Sequence, residues 1–345
     1  MATARRLLAI ILLLAAAGYG GERSLFDLVM PEAHVLAGVN VRRILASPVG
    51  QDLSSQIRTA SPEIEKLLKT TGFDLTTDLE EIVLAASGDP RGGEGLVLVR
   101  GKFDPAAFAA LVSTKAETTV YRGVAIMTAQ IPNRRDTRPG AFAFLNNSIA
   151  VLGEPRLVRD AIDRRERASA IDPLLYAKAR DLSDRYEVWA ISAGSLSPPA
   201  PSSAPEGSVK QAADLVKSIQ QFSGGIRFSS NVEINAELLA RTEKDANSLA
   251  DGLRFLAGML MAGERNKTAS APPDVQMKVE GRSLRISMTI SEEEIRKATQ
   301  KANQARRTAV ERAAVAPLPP VDTGLTIQSS DKDMGTLKLP PAKKD

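Results

Sequence analysis

The sequence predicts an α+β protein of two similar lobes, each an antiparallel sheet with helices packed on one face. Three observations lead there. Short runs of alternating apolar residues recur along the chain, most of them arranged as hairpins. Stretches with apolar residues three and four apart follow them, opened by Ser, Thr, Asp or Pro at the first turn. The order, one strand–helix unit and then two hairpin–helix units, occurs twice, which suggests an internal duplication.

The first lobe, residues 25–168, begins with the alternating strand His34 to Val41. A helix is expected from Ile44 to Arg58, and a second one capped by Ser61 with Pro62 at its first position and Gly72 past its end. Ile82 to Ser87 and Gly95 to Phe103 form a hairpin around the turn formers between them. Asp104-Pro105 then opens a helix with Phe108, Leu111 and Val112 inward. An added strand pair spans Thr118 to Gln130. Ala141 to Leu145, an Asn146-Asn147 turn and Ile149 to Leu152 repeat the hairpin. Pro155 opens its helix, with Leu157, Val158, Ala161 and Ile162 inward.

The second lobe, residues 185–312, starts with strand Glu187 to Ala193. Ser208 and Gln211 make a capping box for a helix whose face includes Ala212, Val216 and Ile219. Ile226 to Phe228 and Val232 to Leu239 pair around Ser229-Ser230-Asn231. Thr242 with Asp245 caps a long helix running from Ala246 to Leu260. Val275 to Val279 and Leu284 to Ile290 are the last hairpin, and Ser291 with Glu294 boxes the last helix. Ser197 to Gly207 is a proline- and serine-rich loop, and residues 313–345 have the composition of a disordered tail.

Residues 1–20 carry Arg5 and Arg6, the uncharged run Leu7 to Ala17, and small residues after it, the outline of a cleaved signal peptide. The run is shorter than the roughly 20 residues of a membrane-spanning helix, so the membrane is reached only through an uncleaved signal segment, if at all. Periplasmic or secreted localisation follows. Without Arg5 and Arg6 the chain has 43 Lys and Arg against 41 Asp and Glu. That near-neutral balance, with aromatics at 4%, argues against nucleic acid as a partner.

The chain has no cysteine and a single histidine, His34. Disulfides, thiol nucleophiles, Cys-ligated metals and His-rich metal centres are therefore excluded, and no cofactor or metal is expected. His34 has no Gly-x-Ser-x-Gly elbow to serve and is taken as a structural residue. Gly92-Gly93-Glu94-Gly95 precedes a strand, so it lacks the helix N-terminus that a phosphate loop requires. Ser329 to Lys332, and Asp331 with Asp333 and Gly335, fall in the tail and form no site. Arg164, Arg165 and Arg167, and Arg306, Arg307 and Arg312, are solvated cations at helix surfaces.

Asp74, Asp78, Glu80 and Glu81 form the densest acidic cluster. They are the one place for paired-carboxylate hydrolysis of an envelope polymer, against a simpler reading as turn and cap residues. No catalytic residue is assigned beyond that weak alternative.

Pro31 to Val41 (PEAHVLAGVNV), followed by Ser47-Pro48-Val49-Gly50, resembles a group of uncharacterised exported bacterial α+β proteins. Thr71 to Asp74, Ser223 to Ile226 and Phe255 to Met259 are similar to the same group. The resemblance spans most of residues 25–295 and implies an envelope or secreted destination. It carries no catalytic residues with it. The functional expectation is an exported, non-enzymatic binding or scaffold protein whose partner is an envelope protein, a polymer or an apolar ligand. A carrier of an apolar ligand and the carboxylate hydrolase are the alternatives.

Overall fold

The computed structural model describes residues 24–51, 69–87, 94–112, 116–132, 137–167, 171–194, 217–265 and 274–297. Among them the strands are β1 (Val35–Asn40), β2 (Leu79–Ala86), β3 (Gly95–Gly101), β4 (Glu117–Tyr121), β5 (Val124–Pro132) and β6 (Thr137–Phe144). β7 (Ile149–Gly153), β8 (Val188–Ala193), β9 (Ile219–Phe228), β10 (Val232–Ala240), β11 (Asp274–Glu280) and β12 (Ser283–Ile290) complete the set. The helices are α1 (Val41–Ala46), α2 (Pro105–Val112), α3 (Pro155–Arg164), α4 (Pro173–Arg185) and α5 (Glu243–Arg265), with a 3-10 turn at Leu25–Leu28.

The α+β class and the antiparallel pairing agree with the sequence. The arrangement differs from it first in that the two lobes do not have separate sheets. All twelve strands join in the order β11-β12-β10-β9-β8-β1-β2-β3-β7-β6-β5-β4. The join is β1 against β8, with Val35 opposite Ser192 and Val39 opposite Val188. Outward from this pair, β1-β2-β3-β7-β6 on one side has the same chain order as β8-β9-β10-β12-β11 on the other. The extra β4–β5 hairpin turns at Arg122 and Gly123, both at positive φ (46° and 75°), the two-residue geometry that glycine makes accessible.

Helices cover both faces of the sheet, not one. On the front face, Leu36, Val83, Leu96, Leu98, Val151, Trp189 and Ile191 are buried with Phe26, Leu157, Val158, Leu175 and Leu182 of the 3-10 turn, α3 and α4. Trp189 lies 5.6 Å from the Phe26 ring, and Tyr176 of α4 packs edge-on to the other side of Phe26 at 5.8 Å. On the back face of the first half, Phe73, Phe103, Phe108 and Phe144 interlock, with Phe142 edge-on to Phe144 at 4.6 Å. Phe108 belongs to α2, whereas Ala143, next to Phe144 on β6, belongs to the front core; successive strand residues face opposite ways. α5 covers the back of the second half, burying Ala246, Leu249 and Ala250 against Leu238 and Leu284.

The local signals mostly hold. Asp104 accepts from Ala106 N and Ala107 N, Thr242 Oγ1 from Asp245 N, and Ser291 and Glu294 bond reciprocally as a capping box. Asn146 Oδ1 accepts from Ser148 N and Ile149 N, closing the expected turn. Two expectations are corrected. The helix expected from Ile44 to Arg58 starts at Val41 and is interrupted at Ser47, whose backbone is extended ahead of Pro48. Ile219, assigned to a helix face, opens β9. The stretch between the two expected lobes, to which the sequence patterning assigns no element, holds α4, with Asp172 Oδ1 accepting from Leu175 N and Pro173 at the first helical position. The signal segment 1–20, the Ser61 and Ser208 caps, the Ser197–Gly207 loop and the tail lie outside the described residues. No described helix is long and apolar enough to cross a membrane.

Candidate functional site: a polar trough beside α4

The front face changes chemistry beyond β8. On the first-half strands β3, β7 and β6 it presents Leu96, Leu98, Val151 and Ala143, all fully buried. On their counterparts by strand order, β10, β12 and β11, it presents Asn235, Glu237, Arg285 and Lys278. Burying a Leu or Val contributes about 1.5–3 kcal/mol, whereas stranding a polar group without a partner costs roughly 1–3 kcal/mol. The first face thus demands an apolar cover, and the second excludes one.

Two adjoining cavities lie on this polar face, of about 560 Å³ and about 340 Å³, sharing Ser223 and Glu237. The floor of the larger is Ser223, Asn235, Glu237, Gln276, Lys278, Arg285 and Ser287, and its wall is Leu182, Arg185 and Tyr186 at the end of α4. The smaller runs along the start of α4, past Asp172, Leu174, Leu175 and Lys178, over Gln221, Leu239 and Ser283. The helix that sequence patterning overlooked therefore forms one side of the trough throughout.

Tyr186 fixes the angle of that wall. Its ring lies on the sheet at Gly225, where a Cβ would come within 2.3 Å of Tyr186 Cγ. Any other residue there lifts the ring. The Arg185 and Arg227 guanidiniums sit over the ring at 5.4 Å and 5.7 Å. Across the floor, Arg285 reaches Glu280 at 2.8 Å and Glu237 at 3.4 Å, Lys278 reaches Glu280 at 2.7 Å, and Ser283 Oγ donates to Glu237 at 2.8 Å. The hydrogen bond from Lys278, reinforced by the charges of Lys278 and Arg285, holds the Glu280 carboxyl below its ordinary range. The floor is a lattice of both signs rather than a field of one.

The acidic cluster singled out in the sequence divides into separate tasks. Asp78 Oδ2 accepts from Asp74 N, and Asp74 Oδ1 accepts from Thr76 N and Oγ1, so both close the turn ahead of β2. Glu80 pairs with Arg42 at 3.2 Å, and Glu81 faces Arg100 at 3.7 Å. Burial raises the Glu81 pKa above its ordinary value, and the attraction and hydrogen bond of Arg100 oppose that only in part. None of the four lines the trough.

His34 is exposed at the mouth of β1, with its backbone spliced into the β2 and β8 ladders. Glu94 pairs with Arg156, which ties the start of β3 to α3, while Gly92 and Gly93 lie outside the described residues. Arg164 corrects the solvated-cation expectation: it is buried and donates from Nε to the Leu28 carbonyl at 3.0 Å, pinning the 3-10 turn to α3. Burial lowers its pKa, with Asp160, Glu32 and Asp163 opposing the shift. Ser329 to Lys332 and Arg306, Arg307 and Arg312 are outside the described residues. No group of three or more potential metal-ligating side chains occurs among the described residues.

No protein-family model and no curated protein matches the chain. Among solved structures it is similar to crystal form I of TP0453, with a TM-score of 0.46 and 13% identity over 80% of this chain and 96% of that one. Crystal form III gives 0.45 and 12% over 78% and 95%, and form IV gives 0.43 and 12% over 79% and 95%. A likeness of this degree assigns neither activity nor ligand.

Proposed function

We propose that the chain is an exported binding or scaffold protein of the cell envelope, and that it holds a polar polymer segment in the trough beside α4. The export part rests on the sequence of residues 1–20. The binding part rests on one observation: an open trough whose floor offers amides, hydroxyls and charges of both signs. Such a floor suits a ligand with its own mixture of hydroxyls, amides, amines and carboxylates. An apolar ligand would leave Asn235, Glu237 and Arg285 facing hydrocarbon, which disfavours the carrier reading. The hydrolase reading loses its support once Asp74, Asp78, Glu80 and Glu81 are engaged in three unrelated contacts. We also propose that the two halves are an internal duplication, supported by their matching strand order on either side of the β1–β8 pair. One copy kept its apolar front, and the other exchanged it for a binding floor.

A disaccharide–tetrapeptide muropeptide is a suitable probe, since it combines sugar hydroxyls, amides, an amine and carboxylates. Titration followed by calorimetry is expected to show saturable binding that weakens at least about tenfold in a protein carrying Asn235→Ala and Arg285→Ala, the effect of losing two polar contacts. Arg285 is more than half exposed, so the fold tolerates its loss. Binding unaffected by the double substitution, or none at all, overturns the assignment of the trough to such a polymer.

A further inference from the structure

The two edges of the sheet are guarded unequally. β11 carries Asp274, Lys278 and Glu280 and follows Pro272-Pro273 in sequence, the charges and prolines with which exposed strands discourage pairing. β4 at the opposite edge is Glu117-Thr118-Thr119-Val120-Tyr121, four residues of high strand propensity with no lysine and no proline. Among the described residues it pairs only with β5, so its outer N–H and C=O groups face outward, and Val120 is 74% exposed.

We infer that β4 is a homodimerisation edge, at which a second copy of this chain pairs antiparallel with β4 and continues the sheet across a two-fold axis. The sequence of β4 is complementary to itself in that pairing. With Thr119 opposite its twin, Thr118 stands beside the partner copy's valine at position 120 and Glu117 beside its tyrosine at position 121. Register with β5 sets the faces: Thr119 and Tyr121 lie on the front with buried Ile126 and Val124, while Thr118 and Val120 lie on the back with Met127 and Ala125. Opposite residues therefore share a face, as a two-fold axis normal to the sheet requires.

Charge fits as well. The Tyr121 ring has two guanidiniums over it, those of Arg122 and Arg159, each 5.9 Å from its centroid. Arg122 is paired with Asp163 at 2.8 Å, so it is the Arg159 guanidinium to which the two-fold axis delivers a Glu117 carboxylate at each end of the new strand pair. The central threonine pair and the flanking carboxylate contacts are of the kind that stabilise antiparallel neighbours. Five residues of ladder make this a weak, concentration-dependent dimer.

Sedimentation equilibrium of the full chain from about 10 to about 300 µM is expected to show reversible dimerisation. Amide exchange should slow at Glu117 to Tyr121 as concentration rises. Val120→Lys places two ammonium groups diagonally across the axis, and Glu117→Arg turns the carboxylate contact into repulsion. Each should weaken association at least about tenfold, one factor of ten being 1.4 kcal/mol. Residue 120 is exposed, so Val120→Lys should leave the monomer's thermal midpoint unchanged. A wild-type chain that stays monomeric over this range, or a dimer that both variants leave intact, overturns the inference. Neither outcome bears on muropeptide binding, because the trough lies on the other half of the sheet.

Discussion

Glu80 and Glu81 show how little adjacency in sequence says about shared chemistry. The pairing of β2 with β3 slips between Leu79 and Glu81, and the two carboxylates reach different arginines, Arg42 and Arg100. Glu81 also has a thermodynamic consequence. Its folded-state pKa is raised above the value near 4.5 of the free side chain, chiefly by burial, so the folded protein binds the proton more readily than the unfolded chain. The resulting stabilisation is complete below about pH 4.5, declines as pH rises through the folded-state pKa, and is absent above it. Urea midpoints measured from pH 4 to pH 7 are expected to show this term in the wild type and not in Glu81→Gln. A wild-type advantage over the variant that does not shrink with rising pH contradicts the assignment. The turn roles of Asp74 and Asp78 were legible from their place ahead of a strand. The partners of Glu80 and Glu81 were not, since Arg42 and Arg100 reach them only through the fold.

Among the elements, hairpins and caps were readable because their causes are local: alternation, two-residue turns and side chains that bond amides two or three positions on. The element that matters most for the site, α4, was missed although its signals were present. Asp172-Pro173 is an N-cap followed by proline at N1, and Leu175, Ala179 and Leu182 repeat at helical spacing. The hairpin–helix repeat sets the expected lobe bounds at 168 and 185 and assigns no element between them. Opposite errors occurred at Ile219, where an apolar residue compatible with a helical period belongs to a strand. Because α4 walls the trough through both cavities, its cap, which itself lines the smaller one, should influence binding. Asp172→Ala removes the bond to Leu175 N and should cost about 1 kcal/mol of stability. Muropeptide affinity should fall in the same variant, whereas removal of the α5 cap by Thr242→Ala should lower stability without lowering affinity. Calorimetric titration of both variants separates the two effects.

At the scale of the molecule, the antiparallel α+β class followed from the patterning, but the single sheet did not. Periodicity tells a strand which of its faces is buried and nothing about the neighbour on its flank. β1 and β8 join through ladder bonds between distant parts of the chain, reinforced at one end by Asn40 N donating to the Glu187 carbonyl at 2.7 Å. Arg43 of α1 bridges the same seam, pairing with Glu187 at 2.5 Å and donating to the Ser183 carbonyl at 2.9 Å. The halves should therefore unfold together. Trp189, the single tryptophan, stands at the seam, so its fluorescence reports the junction while far-UV circular dichroism reports the entire sheet. Coincident urea transitions by the two probes are expected, and a fluorescence change well separated from the dichroism change would mean that the halves melt independently.

The central position of β1 also sets the order of events when the chain is made. Val35 finds its partner Ser192 only after the whole first half has emerged, and closing so long a loop costs roughly 4–5 kcal/mol beyond a constant. Until then the earliest strand has a neighbour on one flank and a vacancy on the other. Whether the chain leaves a ribosome or a translocation pore, its nascent front half is an unfinished template that a chaperone has reason to shield, and arrival of β8 closes that interval of vulnerability.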